Sequence, residues 1–599
     1  MTGLSHIEAA GAPFLGVERS LTGRTWRLAS IDERQALAIS QRLALPEVVG
    51  RVLSARGVGI DQAEAYLNPT LRDLLPDPLH LAGMKEAAER IARAVRENET
   101  IGLFGDYDVD GATGTALLTR FLRAAGGRVI AHIPDRLMEG YGPNTAAMLG
   151  LGEKGAKVII TVDCGTLAFE PLAACADAGL DVIVVDHHEA EPQLPRALAV
   201  VNPNRLDEHS PHGHLAAVGV AMLLTVAVNR ALRESGWYGD ARRVPDLMQW
   251  LDIVALGTVC DVVPLVGVNR ALVAQGLKVA ARRGNPGMAA LADIAGLAER
   301  PDAGHFGYML GPRVNAGGRV GQADLGLRLL TTDDPEEARE LAAALDIHNR
   351  ARQEIEAAVL RDAIEQVESR PDDGLPLVLA AGEGWHPGVV GIIAGRLKER
   401  YHRPACVIAL EGGEGRGSGR SITGLDLGAA VIAARQAGLL IKGGGHAMAA
   451  GFTVARERVD DLRAFLGERL AAALASPIAP TLDLDGAVDA AGASIELAET
   501  LRQLGPFGSG NPEPRFAIPS ARVANVRIVG SGHVSCRLVG KSGAKLKAIA
   551  FRAADSELGH ALLAGDGMPF HFAGTLRPDS WQGNISVQLL IEDAAKAST

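Results

Sequence analysis

The sequence has few cysteines, few aromatic side chains and no excess of positive charge. Five scattered cysteines among 599 residues form no Cys-x-x-Cys pair, which argues against a disulfide framework and indicates a reducing compartment. Aromatic residues make up 4% of the chain, so its core must consist mainly of aliphatic side chains. The net charge of −11 excludes a general basic coat, and nucleic acid would have to bind in a local basic groove.

Membrane and export signals are also missing. The first twenty residues contain no basic stretch followed by an apolar run, so we expect no signal peptide. The most apolar stretch, near residues 215–228, is interrupted by Gly219 and is shorter than the roughly 20 residues that a membrane helix needs. We therefore expect a cytoplasmic protein without membrane contact.

The length predicts several domains, because single cores rarely exceed about 200 residues. After an N-terminal extension (1–50), hydrophobic patterning predicts an α/β fold with the following parts: a parallel-sheet domain (51–331), a long charged connecting helix (332–370), a glycine-rich second α/β domain (371–475) and a small antiparallel barrel (481–592). The segment between the last two, SPIAP, is typical of a linker.

Acidic residues follow three apolar runs of the predicted parallel sheet. The runs are IGLFGDYDVDG, KVIITVDCG and DVIVVDHHE. Their β-branched composition is typical of strands buried on both faces. Because ligands bind beyond the carboxyl ends of such strands, we expect the acidic residues to line a site.

The first run contributes three alternating carboxylates, Asp106, Asp108 and Asp110. Closely spaced carboxylates repel each other unless a cation lies among them, and hard oxygen ligands suit Mg²⁺ or Mn²⁺. The alternative is a solvated turn in which one aspartate caps the next helix. A calcium EF-hand is excluded, because Leu117 occupies the twelfth position of the loop.

The other runs add imidazoles to the carboxylates. Asp186, His187 and His188 end one strand, and this combination fits a divalent metal. Asp163 alone is typical of a turn, whereas Asp261, between valines after another apolar run, is costly to bury unless it is paired or metal-bound. A zinc hydrolase is a weaker interpretation, because the sequence lacks HExxH and the site is rich in carboxylates.

Together these residues predict a site for two ions about 3.5–4 Å apart, which would activate a water for attack on phosphorus. The blocks DYDVDG, VDCG, DHHE and GTVCDVVPL resemble, in order and setting, the DHH phosphoesterase superfamily. The resemblance covers residues 51–592. It implies the direct metal ligands Asp106, Asp108, Asp163, His187 and Asp261, and it implies that Asp110, Asp186 and His188 are ligands or orient the imidazole.

One position departs from the superfamily pattern. Members that cleave pyrophosphate or small nucleotides usually carry a histidine where this chain has Phe104. The sequence therefore leaves open which of Asp106 and Asp110 is a direct ligand.

Further segments resemble the RecJ-type exonucleases within that superfamily. They are IPDRLMEGYGPN, GPRVNAGGRVGQ, WHPGVVGIIAGRLKERYHRPACVI, GSGRS, GGGHAMAAG and LGPFGSGNPEPRF. The resemblance implies a DHH domain, a DHH-associated substrate-binding domain and a C-terminal OB-fold. It also implies Mn²⁺- or Mg²⁺-dependent hydrolysis of single-stranded DNA, 5′→3′, to 5′-mononucleotides in recombination and repair. Single-strand-binding protein and a helicase are the implied partners, and we expect a monomer.

The predicted substrate-binding residues are cationic or lie among glycines. Ser418 and Arg420 in GSGRS would grip a terminal 5′-phosphate, and further candidates are Arg136, Arg313, Arg319 and His446. The alternative is that each glycine cluster is a tight turn and each arginine a surface charge.

Two other functions remain open from the sequence. A phosphodiesterase for small nucleotides would share the metal site, but Phe104 and the barrel argue against it. A non-catalytic DNA-binding module with a decayed site lacks support, because every acid and both histidines are present.

Overall fold

The computed structural model describes residues 12–135, 139–140, 142–240, 242–370, 374–473, 480–565, 567–581 and 584–597. The N-terminal part contains β1 (Thr25–Leu28), α1 (Glu33–Leu43), α2 (Glu47–Ala55), α3 (Ala63–Leu67) and α4 (Leu71–Leu74). Short 3₁₀ helices cover Phe14–Gly16, Pro78–His80, Leu247–Trp250 and Arg456–Arg458. Among the described helices, none is both long and apolar enough to cross a membrane.

A five-stranded parallel sheet is the centre of the first domain. Its strands are β2 (Thr100–Gly105), β3 (Arg128–His132), β4 (Ala156–Val162), β5 (Asp181–Val185) and β6 (Ala199–Val201), in the order β3-β2-β4-β5-β6. Around it lie α5 (Met84–Arg96), α6 (Val109–Ala124), α7 (Thr145–Glu153), α8 (Phe169–Asp177) and α9 (Ala217–Glu234). The predicted burial of the central strands is confirmed, since β2, β4 and β5 are almost entirely buried.

The rest of the first domain is helical. It contains α10 (Leu251–Cys260), α11 (Gly267–Ala280), α12 (Pro286–Ile294), α13 (Ala303–His305), a π-helical turn (Phe306–Leu310), α14 (Gly311–Val320) and α15 (Leu325–Thr331). The apolar run before Asp261 is not a further strand of the sheet: it forms α10, and Asp261 caps the C-terminal end of that helix. Residues 251–258 are buried on all sides of that helix, and a fully buried helix shows no period that distinguishes it from a buried strand.

The long helix α16 (Pro335–Glu368) leads into the second domain, as predicted. That domain contains β7 (Val378–Glu383), α17 (Val390–Tyr401), β8 (Ala405–Glu411), β9 (Glu414–Arg420), α18 (Leu427–Gln436), β10 (Lys442–His446), β11 (Ala449–Ala455) and α19 (Val459–Ala473). Its sheet has the order β10-β11-β9-β8-β7. β7 pairs with β8 in parallel and the other pairs are antiparallel.

The C-terminal domain is the predicted barrel. It contains β12 (Thr481–Leu484), β13 (Gly486–Ala487), α20 (Ile495–Arg502), β14 (Arg515–Val529), β15 (His533–Val539), β16 (Lys545–Ala550), α21 (Glu557–Ala564), β17 (Pro569–Trp581) and β18 (Asn584–Lys596). Pairing of β14 with β17 closes the order β14-β15-β16-β18-β17. Contrary to the antiparallel prediction, β16 and β18 are parallel, because a helix rather than a tight turn follows β16.

The N-terminal segment packs against this barrel, at the other end of the chain. Strand β1 pairs in parallel with β12. Trp26, on β1, is fully buried against β12 and the barrel. Its indole N–H donates to the buried carboxylate of Asp593 at 2.9 Å. No sequence pattern predicts this contact, because the two residues are more than 560 positions apart in the chain.

Replacement of Trp26 tests whether the N-terminal segment is a structural part of the barrel. Trp26→Ala should lower the free energy of unfolding by about 3–5 kcal/mol, because it removes a large buried side chain. Chemical denaturation followed by circular dichroism measures the change. The exposed neighbour Arg27 on the same strand provides the control: Arg27→Ala should change stability by no more than about 0.5 kcal/mol. Equal effects of the two variants would contradict this packing.

Candidate metal centre

The hydrogen-bond ladder of the parallel sheet continues into the acidic residues. The backbone N–H of Asp106 donates to Val162 at 3.0 Å, and that of Asp163 donates to Val185 at 2.9 Å. The N–H of Asp186 donates in the same way to Val201 at 3.1 Å. The three aspartates that follow β2, β4 and β5 therefore lie side by side, as the strand pattern predicts.

Asp108 caps the helix that follows the first of these aspartates. Its Oδ1 accepts the backbone N–H groups of Asp110 (2.8 Å) and Gly111 (3.1 Å). The cap uses one carboxylate oxygen and leaves the other for a ligand role, so the two interpretations of this aspartate are compatible. A β-carbon at Gly111 would lie 2.5 Å from the carbonyl oxygen of Asp106, and α6 can begin this close to the site only with glycine there.

Asp110 is held by the start of another helix. Its Oδ2 accepts the N–H of Ala217 at 2.6 Å, and its Oδ1 accepts the N–H of Val218 at 2.9 Å. The positive end of α9 stabilises a carboxylate in this position. Asp110 Oδ2 also lies 3.9 Å from His187 Nε2, so the carboxylate is fixed at the edge of the candidate centre.

Asp186 orients the DHH loop, residues Asp186–His188. Its Oδ1 accepts a hydrogen bond from the His188 ring (Nδ1, 2.7 Å), and its Oδ2 accepts the N–H of Thr166 at 3.0 Å. Burial alone would raise the pKa of Asp186, but the bond and charge of His188 together with the Thr166 bonds hold it below its usual range. The arrangement is that of a carboxylate that fixes a neighbouring imidazole.

His187 lies at the point where the carboxylates meet. Its Nε2 is 3.3 Å from Asp163 Oδ1 and 3.6 Å from Asp261 Oδ2. Burial and the neighbouring His188 lower the pKa of His187, which favours the neutral imidazole that metals bind. Asp261 reaches this point from the end of α10, where Val262 has a positive φ of 60°.

The backbone of Asp163 is strained. Its φ is +63°, a left-handed conformation that costs a residue with a side chain about 1–3 kcal/mol. Such strain persists only where the surrounding structure holds it, and it is concentrated at functional sites. Here it marks the residue whose Oδ1 lies beside His187.

The ligand atoms form three groups in which all atoms lie within 4.8 Å of one another. The groups are Asp106/Asp108/Asp163, Asp163/His187/His188 and Asp110/His187/Asp261. Asp163 Oδ1 and Asp261 Oδ2 are buried and have no hydrogen-bond partner among the described residues. Buried carboxylate oxygens left in this state fit a cation, and the oxygen-rich set with one or two imidazoles suits Mn²⁺ or Mg²⁺. Because the groups share Asp163 and His187, they fit two adjacent ions.

The electrostatics of the site also favour a cation. Burial, with the charges of Asp108 and Asp110, raises the pKa of Asp163 well above its usual range. Burial and the charge of Asp108 raise the pKa of Asp110 to about 7. Burial and the charges of Asp110 and Asp108 raise the pKa of Asp261 to about 9. A divalent ion would reverse these shifts by stabilising the ionised carboxylates.

Two asparagines that the sequence analysis missed support the DHH loop. Asn202 donates to the carbonyl oxygen of His188 (2.8 Å) and to Thr166 Oγ1 (2.9 Å). Asn204 donates to the carbonyl oxygen of His187. Both follow β6, so the signal that could have identified them is their position in VVNPN, directly after the apolar residues of that strand.

The second domain brings three predicted substrate residues to one end of its sheet. The strand register pairs Arg420 with Ala449, and Ala449 with His446. The Arg420 guanidinium donates to Ser418 Oγ at 3.1 Å. A β-carbon at Gly391, in the first turn of α17, would lie 3.1 Å from both of these side chains. The combination of an arginine, a hydroxyl and a helix N-terminus can bind a phosphate.

Two further predicted cations, Arg313 and Arg319, bond to groups of the protein. Arg313 Nε donates to Asp346 at 2.9 Å, and the Arg319 guanidinium donates to the Gly388 carbonyl oxygen at 2.9 Å. Both arginines therefore connect α14 to its neighbours. Arg136 lies outside the described residues.

Comparison with known proteins identifies the family. Profiles of the DHH family (N-terminal domain), the DHHA1 domain and the RecJ OB domain match residues 100–258, 374–472 and 484–593. The chain is 39% identical to a Dickeya dadantii protein named single-stranded-DNA-specific exonuclease RecJ, over 92% of this chain and 96% of that protein. The chain belongs to the RecJ family. The Escherichia coli RecJ is 37% identical, again over 92% of this chain and 96% of that protein.

A solved structure agrees with this membership. The crystal structure of RecJ from Thermus thermophilus in complex with Mn²⁺ superposes with a TM-score of 0.79 at 30% identity, and the match covers 96% of this chain and 80% of that one. A second structure from that organism contains Mg²⁺. The predicted family, fold, enzyme class and Mn²⁺ or Mg²⁺ cofactors are thus confirmed. The roles of single residues and the domain boundaries stay predictions.

Removal of Asp163 tests the ligand set directly. Asp163→Ala should abolish hydrolysis and lower the number of Mn²⁺ ions bound, because Asp163 belongs to two of the three ligand groups. Isothermal titration with Mn²⁺ measures stoichiometry and affinity, and circular dichroism checks the fold. Glu189→Gln is the control, because Glu189 is an exposed acid in the same loop. Full activity and unchanged Mn²⁺ binding in Asp163→Ala would remove this residue from the centre.

Proposed function

We propose that this member of the RecJ family hydrolyses single-stranded DNA from the 5′ end and releases 5′-mononucleotides. The observation that carries the proposal is the pairing of two sites: a carboxylate–imidazole centre in the first domain and an Arg420–Ser418 pocket in the second. The relatives described above are named single-stranded-DNA-specific exonucleases, which supports the substrate class.

The two sites are connected by helix α14. A β-carbon at Gly318 would lie 2.5 Å from the carbonyl oxygen of Tyr107, which stands between Asp106 and Asp108. The next residue, Arg319, donates to Gly388 in the loop before α17. Helix α14 thus contacts the loop of the metal centre and the loop before the helix of the pocket, and we propose that the two sites face a common cleft along it.

In this cleft the residues of the chain have distinct roles. Asp106, Asp108, Asp163, His187 and Asp261 would hold two divalent ions, while Asp110, Asp186 and His188 hold the loops that carry them. When bound, such ions activate water and neutralise the charge of the phosphoryl group. The asparagines after β6 keep the two histidine backbones in place.

The direction of degradation follows from the pocket. A terminal 5′-phosphate carries more negative charge than an internal phosphodiester, and the Arg420 guanidinium with Ser418 Oγ and the N-terminus of α17 favours that charge. Holding the 5′ end here presents the first phosphodiester to the metal centre. His446, in the same cross-strand row as Arg420, is proposed to contact the phosphate or the nucleotide.

The barrel offers a further surface for the strand. A cleft in it is lined by Arg24, Arg515, Phe551, Arg552 and Arg577, among others. Arg515 and Arg577 pair with Glu592 and Glu513, so their charge is partly neutralised, while Phe551 is 57% exposed and available for base stacking. Four arginines and three glutamates line this cleft, and we propose it as the local basic groove that an acidic protein needs for DNA.

The broader setting is also part of the proposal. We infer a cytoplasmic monomer that acts in recombination and repair, with single-strand-binding protein and a helicase as partners. The names of two relatives with nearly full-length similarity, single-stranded-DNA-specific exonuclease RecJ, support action on single-stranded DNA.

The first test is the polarity of degradation. Purified protein with Mn²⁺ or Mg²⁺ should release mononucleotides from a single-stranded oligonucleotide blocked at its 3′ end, but not from one blocked at its 5′ end or from a blunt duplex. Chelation of the metal should stop the reaction. Cleavage of dinucleotides without degradation of long strands would instead identify a small-nucleotide phosphodiesterase.

The second test concerns the phosphate pocket. Arg420→Ala should weaken binding of 5′-phosphorylated oligonucleotides by about 1.5–3 kcal/mol, and binding of 5′-hydroxyl oligonucleotides by much less. Fluorescence anisotropy with the two oligonucleotides measures the difference. Arg416→Ala is the matched control, because Arg416 is exposed on the same strand and should reduce both affinities equally. Equal losses in Arg420→Ala would contradict the pocket.

A further inference from the structure

The buried stripe of helix α16 is apolar at both ends and polar in the middle. Ala338, Leu341 and Leu345 pack into the core of the first domain, and Val359 and Ala363 pack into the core of the second. Between them the buried side chains of the helix are polar: Asp346, Asn349, Arg352 and Glu356. We call these four residues, together with Arg313 and Arg396, the connector cluster.

The polar residues continue the same stripe as the apolar ones. Steps of three or four residues lead from Leu345 through Asn349, Arg352 and Glu356 to Val359, so all of them lie on one face of the helix. Apolar side chains would be easier to bury there, because a buried ion pair must give up its hydration. The polarity of these four buried residues therefore points to a role in fixing the positions of the helices around them.

Toward the first domain the cluster holds α14. Asp346 Oδ1 accepts from Arg313 Nε at 2.9 Å. Arg313 lies on the helix whose Gly318 approaches the backbone of Tyr107, in the loop of the candidate metal ligands. The position of α14 relative to the metal centre is thus tied to α16.

Toward the second domain the cluster holds α17. Arg352 donates to Glu356 Oε2 at 2.6 Å and to Asn349 Oδ1 at 3.0 Å. The other oxygen of Glu356, Oε1, pairs with Arg396 on α17. The first turn of that helix contains Gly391, where a β-carbon would lie 3.1 Å from the side chains of Ser418 and Arg420. The phosphate pocket is thus tied to the same stretch of α16.

We propose that the connector cluster sets the span between the metal centre and the 5′-phosphate pocket, and that this span determines the length of the product. The inference rests on the proposed function. Asp346, Arg352 and Glu356 are then positioning residues, since they act through α14 and α17. With the 5′-phosphate held, only a bond at the matching distance reaches the ions, and a fixed span selects the first phosphodiester.

The test replaces the buried ion pair without leaving an unpaired buried charge, because Arg396, which also loses its partner Glu356, is exposed. In the double variant Arg352→Met/Glu356→Leu, apolar side chains of similar size occupy the stripe, an exchange that proteins often tolerate without loss of stability. Asp346→Asn is a second, milder variant. Glu368→Gln is the matched control, because Glu368 forms an exposed α16–α17 ion pair with Arg400 at 2.9 Å, away from the cluster.

The readout is the length of the first product from a 5′-labelled, 5′-phosphorylated oligonucleotide under single-turnover conditions. We expect wild type and Glu368→Gln to release mononucleotides, and the cluster variants to release di- and trinucleotides in addition. Mononucleotide release should slow by about tenfold to a hundredfold, because a misplacement of about 1 Å has effects of this size. Unchanged product lengths in the cluster variants would overturn the inference, whatever the rate of product release. Failure of wild type to release mononucleotides would instead overturn the proposed function.

A second readout does not depend on activity. Spin labels at Lys154→Cys in the first domain and Arg435→Cys in the second, both exposed positions, report the distance between the domains. The distribution of that distance should broaden in the double variant and stay narrow in Glu368→Gln. Equal distributions in all three proteins would contradict a role of the cluster in setting the span.

Discussion

Repulsion among buried carboxylates governs how this protein is built. Asp106, Asp163 and Asp186 follow adjacent parallel strands, and Asp110 and Asp261 approach from two helices. Such a group is stable as a set of ionised carboxylates only with cations among them. The strained backbone of Asp163 and the glycine contact at the start of α6 are consistent with a site built for ions and held by the fold.

The same fold connects the proposed phosphate pocket to this centre. Two connections join them: the short helix α14, which contacts Tyr107 on one side and Gly388 on the other, and the polar stripe of α16. An exonuclease that releases single nucleotides needs both a grip on the chain end and a fixed distance to the scissile bond. The two connections meet this requirement with contacts that lie outside either site.

Much of this could be predicted from sequence because it is local. The strands show as continuous apolar runs, the acids directly follow them, and DHHE joins imidazoles to carboxylates in four residues. What could not be predicted depends on packing. Asp261 ends a helix whose burial on all sides hides its period, Trp26 bonds to Asp593 across almost the whole chain, and Arg313 pairs with an aspartate on α16. Short motifs carry no information about such contacts.

Anomalous diffraction at the manganese edge, from crystals grown with Mn²⁺, can locate the ions at the carboxyl edge of the parallel sheet. If one carboxylate–imidazole cluster holds both, two peaks should lie about 3.5–4 Å apart, with Asp163 and His187 between them. A single peak, or peaks away from these two residues, would contradict this two-ion site.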